Sequence, residues 1–533
     1  MAVRNHGAGA RRAIFLVPAV VLAMLGAAPA AATAAPATPA GKAAARIPSA
    51  AYRDVLTKWA VGSVGDPHAA RTAAPAGNVG SNVVFLSNLP QLATAISVAF
   101  IDNVAFVSTV TGLYSVDISD PANPMIIGAA PQYIWENEHM TADPARKRVF
   151  ITRDPRGYTS PATSGGTFPE GAIEIYDVSL ASQPLLMGYV RLPAGHTSTC
   201  IASCDYIWTQ GPASGSFNPP DWKGRPVFGT NVSDPLHPVS CPGPLDLHSN
   251  DGVTDYAHSV DPDSTGVSWV SGRGHLRGFW TSGSHYDYVT GHNETATPCA
   301  PVPYAGGGTN EGNAAEAVIH NSFRDLSASV DGRAGDVVLA TEEATVTDCA
   351  KSGRFLTYDI GNSHQGQGWL NIATSHFRLT KLDQWTPKGQ PGSTGCDSAH
   401  WFTERQDHLV AISFYSQGTR FLDVSDPRHI TQVAYYNPTA TNSWAAYWRP
   451  DNVVVIADFG RGLDIVRVNG ATTGLPRAAV PTRGDAPARR VAGAASGLPS
   501  TAAGGSMAAF AAVAMVGLVA LLLVTLQRRR ART

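Results

Sequence analysis

The segment GLYSVDISDPANPMIIG, Gly112–Gly128, is the first of several related segments that return along the chain. It starts as a strand, in which β-branched and aromatic residues alternate with small or polar ones. It then turns at Asp-x-Ser-Asp-Pro, where the Asp and Ser side chains bond to nearby backbone and proline fixes φ. Related segments are AIEIYDVSLASQPLLMG (Ala172–Gly188), TRFLDVSDPRHITQVAY (Thr419–Tyr435) and a shortened last copy, GLDIVRVNG (Gly462–Gly470).

A histidine stands at the head of five of the repeating units. Upstream of each quoted segment lies a second apolar run, such as NVAFVSTV (Asn103–Val110), and further upstream a short segment that carries the histidine. The five histidines at this position are His139, His196, His258, His320 and His400. Ile96 takes the matching position in the first unit and Trp444 in the last, which makes seven units spaced 43 to 80 residues apart.

Seven strand-rich units predict an all-β fold, a seven-bladed β-propeller with four strands in each blade. The last unit ends after its third strand, at about Val468, whereas NVVFLSNLP (Asn82–Pro90) is an orphan strand that resembles a fourth strand. We therefore predict a ring closed by the N-terminal strand, with Asn82–Leu86 paired to Gly462–Val468. Such a ring leaves no open sheet edge.

Composition and length limit the classes of partner and the kind of domain to expect. The chain has 533 residues, a formal net charge of −2 and 15% charged residues, so its charge gives no reason to expect nucleic acid as a partner. The range 82–470 is long enough for one large closed β domain.

The N-terminal region has the pattern of a secretory signal peptide. Arg4, Arg11 and Arg12 precede the apolar run Ala13–Leu25, and small residues around Ala34 then suit cleavage. We expect residues 1–34 to be the signal peptide and residues 35–81 to be a flexible linker.

The C-terminal region predicts a tether outside the cell. Met507–Leu526 has the length and apolar character of a transmembrane helix, and the arginines of residues 527–533 favour a cytoplasmic tail. Residues 471–506 are a second predicted linker. It contains Leu498-Pro499-Ser500-Thr501-Ala502, which resembles the signal that sortases use to attach proteins to Gram-positive cell walls. That pattern ends in Gly rather than Ala502, so wall attachment and a retained membrane anchor both stay open.

The six cysteines favour disulfides, because an exported chain folds in an oxidising compartment. Fifteen pairings are possible. The preferred set joins neighbours along the chain: Cys200–Cys204, Cys241–Cys299 and Cys349–Cys396. The alternative is a thiolate metal site or redox pair.

The five histidines should lie at one mouth of the channel, because equivalent residues of successive blades share one level. Acidic residues are close in sequence, with Glu138 beside His139, and either Glu342 or Glu343 is expected among the neighbours. Imidazole and carboxylate ligands suit copper, zinc or iron. The alternative is that each histidine ties its blade to the backbone of the next.

Two functions remain open. No HExxH, nucleophile elbow or EF-hand loop occurs in the sequence. This favours a non-enzymatic, cell-surface binding or interaction module without catalytic residues. The alternative is an exported metal-dependent enzyme, an oxidoreductase, that uses the histidine ring. The segments Gly283–Asn313 and His364–Gln390 are expected to be irregular, ligand-binding insertions between units.

The repeats resemble LVIVD repeats, strand repeats of the form GLxxVDVSDPxxPxxxG found mostly on bacterial and archaeal surfaces. Gly112–Gly128 and Thr419–Tyr435 are close matches, whereas Ala172–Gly188 is looser and Gly224–Ser240 is degenerate. The resemblance covers about residues 82–470 and implies a propeller, with no implied activity. The Ala-, Arg-, Gly- and Pro-rich composition suggests an actinobacterial source.

Overall fold

The computed structural model describes residue 70 and the ranges 72–131, 137–154, 171–192, 194–211, 227–245, 247, 257–288, 290–312, 317–345, 348–363, 379–405 and 407–469. The chain divides into two compact units, Met1–Val480 and Pro481–Thr533, and every described residue belongs to the first. The expected signal peptide, the sorting segment, the transmembrane segment and its basic tail lie outside the described residues. Within those residues, no helix is long and apolar enough to span a membrane.

Seven antiparallel sheets form the blades of a β-propeller, which we number from 1 to 7 along the chain. Blade 1 consists of β3 (Ala95–Ile101), β4 (Val104–Thr109), β5 (Gly112–Asp117) and β6 (Met125–Pro131). Blade 2 consists of β7 (Thr141–Asp143), β8 (Arg148–Arg153), β9 (Gly171–Asp177) and β10 (Leu185–Leu192). Blade 3 consists of β11 (Thr197–Ile201), β12 (Tyr206–Gln210), β13 (Phe228–Asn231) and β14 (Val239–Ser240). Blade 4 consists of β15 (Ala257–Pro262), β16 (Val267–Gly272), β17 (His275–Trp280) and β20 (Val302–Gly308). Blade 5 consists of β21 (Ala317–Asp325), β24 (Val337–Ala344), β25 (Phe355–Asp359) and β26 (Thr380–Trp385).

Blades 6 and 7 complete the ring. Blade 6 consists of β27 (Phe402–Arg405), β28 (Leu409–Ser413), β29 (Thr419–Asp423) and β30 (Thr431–Pro438), with β1 (Gly77–Val79) at its outer edge. Blade 7 consists of β31 (Ser443–Trp448), β32 (Val453–Asp458), β33 (Gly462–Val468) and β2 (Val83–Leu89). Two small hairpins lie beside the blades: β18 (Ser284–Asp287) with β19 (His292–Thr295), and β22 (Ser329–Val330) with β23 (Arg333–Ala334). Short 3-10 turns occur at Pro90–Leu92, Gly361–Ser363 and Pro450–Asn452.

The N-terminal strand closes the ring, as predicted. β2 pairs antiparallel with β33 from Val83 opposite Val468 to Leu89 opposite Leu463. The strand therefore supplies the fourth strand that the last repeat lacks. Part of the expected linker is also ordered, because β1 pairs with β30 from Gly77 opposite Pro438. The linker prediction for residues 35–81 is wrong over Gly77–Val79, where the backbone finds partners on the outer edge of blade 6.

Hydrophobic packing between blades confirms the seven-fold closure. Seven clusters of buried apolar side chains occur in the described residues, and each joins two neighbouring sheets. The cluster between blades 7 and 1 packs Leu89 and Leu463 against Val98 and Phe100. Because each blade buries both of its faces against neighbours, no blade is stable alone.

The insertion predicted at Gly283–Asn313 is more regular than expected. β18 and β19 pair as a hairpin from Ser284 opposite Thr295, and β20 is the outer strand of blade 4. Likewise, β26 within His364–Gln390 is the outer strand of blade 5. Both segments therefore lie within blades rather than between units. Polar composition concealed β18, β19 and β26, because these three strands are only partly buried and lack strong apolar alternation.

The three disulfides form in the preferred pairing. Cys200–Cys204 closes the turn between β11 and β12, whereas Cys241–Cys299 and Cys349–Cys396 link neighbouring blades. No free cysteine occurs in the described residues.

The closing strand supplies a test of the ring. Leu89 on β2 is fully buried between blades 7 and 1, so Leu89→Ala should lower the free energy of unfolding by about 2–5 kcal/mol. Val84 on the same strand is 40% exposed, and Val84→Ala should change it by less than about 0.5 kcal/mol. Chemical denaturation of the full-length variants measures both values. Equal effects of the two substitutions would contradict closure by this strand.

Candidate metal centre

Local bulges turn the residues at the start of the inner strands into the channel. The register of the inner strand shifts at Ile96 in blade 1, at His258 in blade 4, at His320 and Asn321 in blade 5, and at Trp444 in blade 7. A β-bulge leaves its extra residue unpaired and redirects its side chain. These bulges lie at positions that the repeat alignment had equated. In blades 2, 3 and 6 the equivalent residues, His139, His196 and His400, lie just before the inner strand.

Four imidazoles converge on one carboxylate oxygen. The Nε2 atoms of His196, His258 and His320 lie 2.9, 3.2 and 2.9 Å from Glu138 Oε2. His400 Nε2 lies 3.6 Å from the same oxygen, and His196 Nε2 lies 3.0 Å from His258 Nε2. The four histidines and Glu138 are all buried. Residues from blades 3, 4, 5 and 6, with Glu138 just ahead of blade 2, therefore form one compact cluster.

The opposite ring nitrogens of three histidines are held by acceptors. His196 Nδ1 donates to Asp154 Oδ2 at 2.8 Å, and His258 Nδ1 donates to the carbonyl of His320 at 3.0 Å. His400 Nδ1 donates to the carbonyl of Trp444. A neutral imidazole carries one N–H, so these three rings direct Nε2 lone pairs at the carboxylate of Glu138.

When the imidazoles are neutral, acceptors therefore outnumber protons in the buried cluster. His400 Nε2 has no hydrogen-bond partner among the described residues, and the same is true of His320 Nδ1. Buried polar atoms of this kind are costly, and lone pairs facing one another repel. A cation among the Nε2 atoms and Glu138 Oε2 would remove both costs.

The electrostatics of these groups already favour positive charge beside Glu138. Burial would raise the pKa of Glu138, but charge on His196 and His400 together with hydrogen bonds hold that pKa well below its usual value. Burial lowers the pKa of His258, and burial together with His258 and His400 brings the pKa of His320 well below its ordinary range. Burial also acts against the charged form of His400, but Glu138 outweighs it and raises the pKa of His400.

His139 is the predicted ligand that lies beside the cluster. Its ring stacks on Trp401 with 4.5 Å between ring centroids and 19° between planes. The preceding residue, Glu138, supplies the central oxygen instead, and its backbone N–H donates to the carbonyl of His196. The position of Glu138 next to His139 was a sequence signal that it could lie at the site. The repeat alignment, however, identified the histidine as the candidate ligand.

Of the two adjacent glutamates in β24, Glu343 is the one that faces the cluster. Glu343 Oε2 lies 3.9 Å from His320 Nε2. Glu342 instead forms an ion pair with Arg354 at 2.8 Å and accepts a hydrogen bond from the backbone N–H of Gly312. Successive side chains of a strand point to opposite faces, so only one of the two can reach the site. Glu342 is therefore directed away from the histidines.

A second cluster with metal-ligand chemistry lies at the opposite end of the inner strands of blades 5 and 6. Ligand atoms of Asp325, Glu404 and His408 lie within 4.8 Å of one another. His408 Nδ1 donates to Asp325 Oδ2 at 2.7 Å, and this hydrogen bond accounts for the close approach. The contact is therefore an ion pair that joins the two blades.

The chain was compared with family models, curated proteins and solved structures. No family model matches it, and no curated protein does. Among solved structures, the chain is similar to the β-propeller domain of Cps50 (Swd1) from Myceliophteria thermophila, with 10% identity, a TM-score of 0.42, and coverage of 74% of this chain and 100% of that one. It is also similar to the WD40 repeats of RRP9, with 10% identity, a TM-score of 0.43, and coverage of 74% and 99%.

The ion pair between blades 5 and 6 predicts a pH-dependent stability. The hydrogen bond to Asp325 raises the pKa of His408 above 6.5, despite the opposing effect of burial. A raised pKa contributes stability that is present below pH 6.5 and is lost as the pH rises through the folded-state pKa. His408→Asn should therefore lower the melting temperature most below pH 6.5, and the difference from the wild type should shrink at alkaline pH.

Asparagine is the appropriate replacement because His408 has a φ of 64°, which asparagine tolerates. His237→Asn is the matched control, since His237 pairs with Asp234 on an exposed turn. Thermal unfolding across the pH range measures the difference. A stability loss from His408→Asn that is independent of pH would rule out the ion pair as its cause.

Proposed function

We propose that this propeller is an exported metalloprotein that binds one transition-metal ion at the channel mouth and uses it for redox chemistry. The ligands are Nε2 of His196, His258, His320 and His400, with Oε2 of Glu138. The observation that carries the proposal is the convergence of four buried imidazole nitrogens on one carboxylate oxygen, at distances of 2.9 to 3.6 Å.

The distances fit ligands of a shared ion. Two ligand atoms at right angles around one metal, each about 2.1 Å from it, are about 3.0 Å apart. The separations of Glu138 Oε2 from the nitrogens of His196, His258 and His320 are close to this value, as is the separation between the nitrogens of His196 and His258. The acceptors at Nδ1 of His196, His258 and His400 supply the orienting hydrogen bonds that metal-bound imidazoles usually make.

The donor set favours iron or copper. Imidazole suits zinc, copper, iron and nickel, and the lack of thiolate ligands argues against a site built for soft metals. Structural zinc is almost always held by four ligands in a tetrahedron. Five converging donors exceed that number, so an ion that accepts five or six ligands, and that changes oxidation state, fits better.

Export and tethering are part of the proposal. Three disulfides within the propeller support folding in an oxidising compartment. The predicted signal peptide and C-terminal span support a head held outside the cell at the membrane or wall. The resemblance to LVIVD repeats is in keeping with a bacterial surface protein.

A cell-surface binding or interaction module is the second candidate. The burial of the four histidines favours this second candidate, because a fully enclosed metal ion can have a purely structural role and hold neighbouring blades together. The two candidates differ in one property, the redox response of the bound metal. A redox centre should be reduced by ascorbate and reoxidised by ferricyanide while the metal stays bound, whereas a structural zinc ion would do neither.

Elemental analysis tests the metal site directly. The full-length chain, purified without a histidine tag, should contain about one equivalent of iron or copper per chain. Glu138→Gln and His320→Gln should each lose most of it, because each removes a ligand and keeps a side chain of similar size. His237→Gln, which changes an exposed histidine away from the cluster, should retain it.

Circular dichroism of each variant separates loss of metal from loss of fold. A folded wild-type chain that binds none of iron, copper or zinc after loading would overturn the proposal. So would full metal content in folded Glu138→Gln and His320→Gln chains.

The hydrogen bond behind His196 gives a graded test. Asp154 is fully buried and accepts the Nδ1–H of His196, so Asp154→Asn removes the charge that strengthens this ligand. Metal affinity should fall about 10- to 100-fold, measured by competition with a chelator. Asp234→Asn, which changes the exposed partner of His237, is the matched control and should leave the affinity unchanged.

A further inference from the structure

Tyr415 is a partly buried residue that lies next to the histidine cluster. It follows β28 in blade 6, and its backbone pairs with Ser443 at the start of β31. The Tyr415 hydroxyl donates to Glu343 Oε1 at 2.5 Å. The Glu343 side chain is 22% exposed, whereas those of His320 and His400 are fully buried.

The Tyr415 ring is in contact with a proposed ligand. Its centroid lies 4.9 Å from that of His400 and 5.8 Å from that of Trp444. Trp444 is itself 5.1 Å from His400 and stacks on Phe459 at 5.1 Å. The ring of Trp401 lies 5.9 Å from that of His320. Electrons can pass between oxidisable rings at such distances, so Tyr415, Trp444 and Trp401 are the candidates for oxidation by the metal centre.

Hydrogen bonding separates the three candidates. A phenol becomes a neutral radical only when its proton leaves with the electron, so an acceptor must stand at the hydroxyl. Tyr415 has one in Glu343. Within the described part of the chain, Nε1 of Trp444 is buried without a hydrogen-bond partner, and the same holds for Nε1 of Trp401. Neither indole has an acceptor in place for its proton.

We propose that Tyr415 is a redox-active tyrosine, which gives one electron to the metal centre when a peroxide is reduced there. Hydrogen peroxide takes up two electrons, together with two protons (H+) from the solvent, and becomes two molecules of water. The metal ion supplies one electron and rises by one oxidation state. Tyr415 supplies the other, and its hydroxyl proton moves to the carboxylate of Glu343. This inference rests on the proposed function, because it needs a redox metal among the histidines.

The experiment uses the full-length chain in its reduced, metal-loaded form, mixed with hydrogen peroxide and frozen rapidly for electron paramagnetic resonance. An organic radical signal should form. Ring-deuterated tyrosine should narrow the signal, whereas ring-deuterated tryptophan should leave it unchanged. Tyr415→Phe should abolish it while the metal content stays at the wild-type value, because Tyr415 is not a ligand.

Two further variants complete the design. Tyr447→Phe is the matched control, since Tyr447 is a buried tyrosine that packs on Phe100 and contacts Ser97, and its removal should leave the signal intact. Glu343→Gln should weaken the signal, because an amide cannot take the proton. A radical that persists in Tyr415→Phe overturns the inference.

The outcomes also separate this inference from the proposed function. A wild-type chain that holds a redox metal but forms no tyrosyl radical overturns the inference and leaves the proposed function standing. A wild-type chain that binds no metal overturns both.

Discussion

Closure of the ring by β2 on β33 is the constraint from which the site follows. Once the last blade is completed, each sheet packs on two neighbours and the inner strands are held at a fixed distance from the channel axis. Residues at the heads of the inner strands then meet in one narrow opening, so residues more than 250 positions apart, Glu138 and His400, approach within 3.6 Å. An open array would place the same residues along a line, and no shared site would exist.

Much of the fold follows from the sequence, because repeats report an architecture that no single repeat could. The missing fourth strand of the last unit and the orphan strand before the first were visible together, and they specify closure. The hairpin β18–β19 was missed because its strands are largely exposed, so no apolar alternation marks them. Periodicity indicates a strand only where one face of it is buried.

The site was predictable to its level in the ring but not to its atoms. The alignment placed five histidines at one mouth, and four of them converge. The exceptions are one-residue shifts: Glu138 replaces His139, and Glu343 rather than Glu342 approaches the cluster. Adjacent side chains in extended backbone point in opposite directions, so an uncertainty of one residue reverses the assignment. Sequence spacing does not fix the register of a bulge, and only the hydrogen-bonded partners of each strand determine it.

The sequence left a choice between histidines that tie blades together and histidines that bind a metal, and the two ring nitrogens allow both. The Nδ1 atoms of His258 and His400 bond to carbonyls of the next blade, while their Nε2 atoms meet near Glu138. Each of these hydrogen bonds fixes the tautomer that a metal-binding histidine needs, so the same contact that joins two blades would also orient Nε2 towards a metal ion. Enclosure then limits the chemistry. The side chains of the proposed ligands are at most 6% exposed and leave little access for a large substrate, whereas electrons cross packed rings without any opening. The metal ion that we propose next to Tyr415 would therefore be suited to small oxidants and to electron transfer.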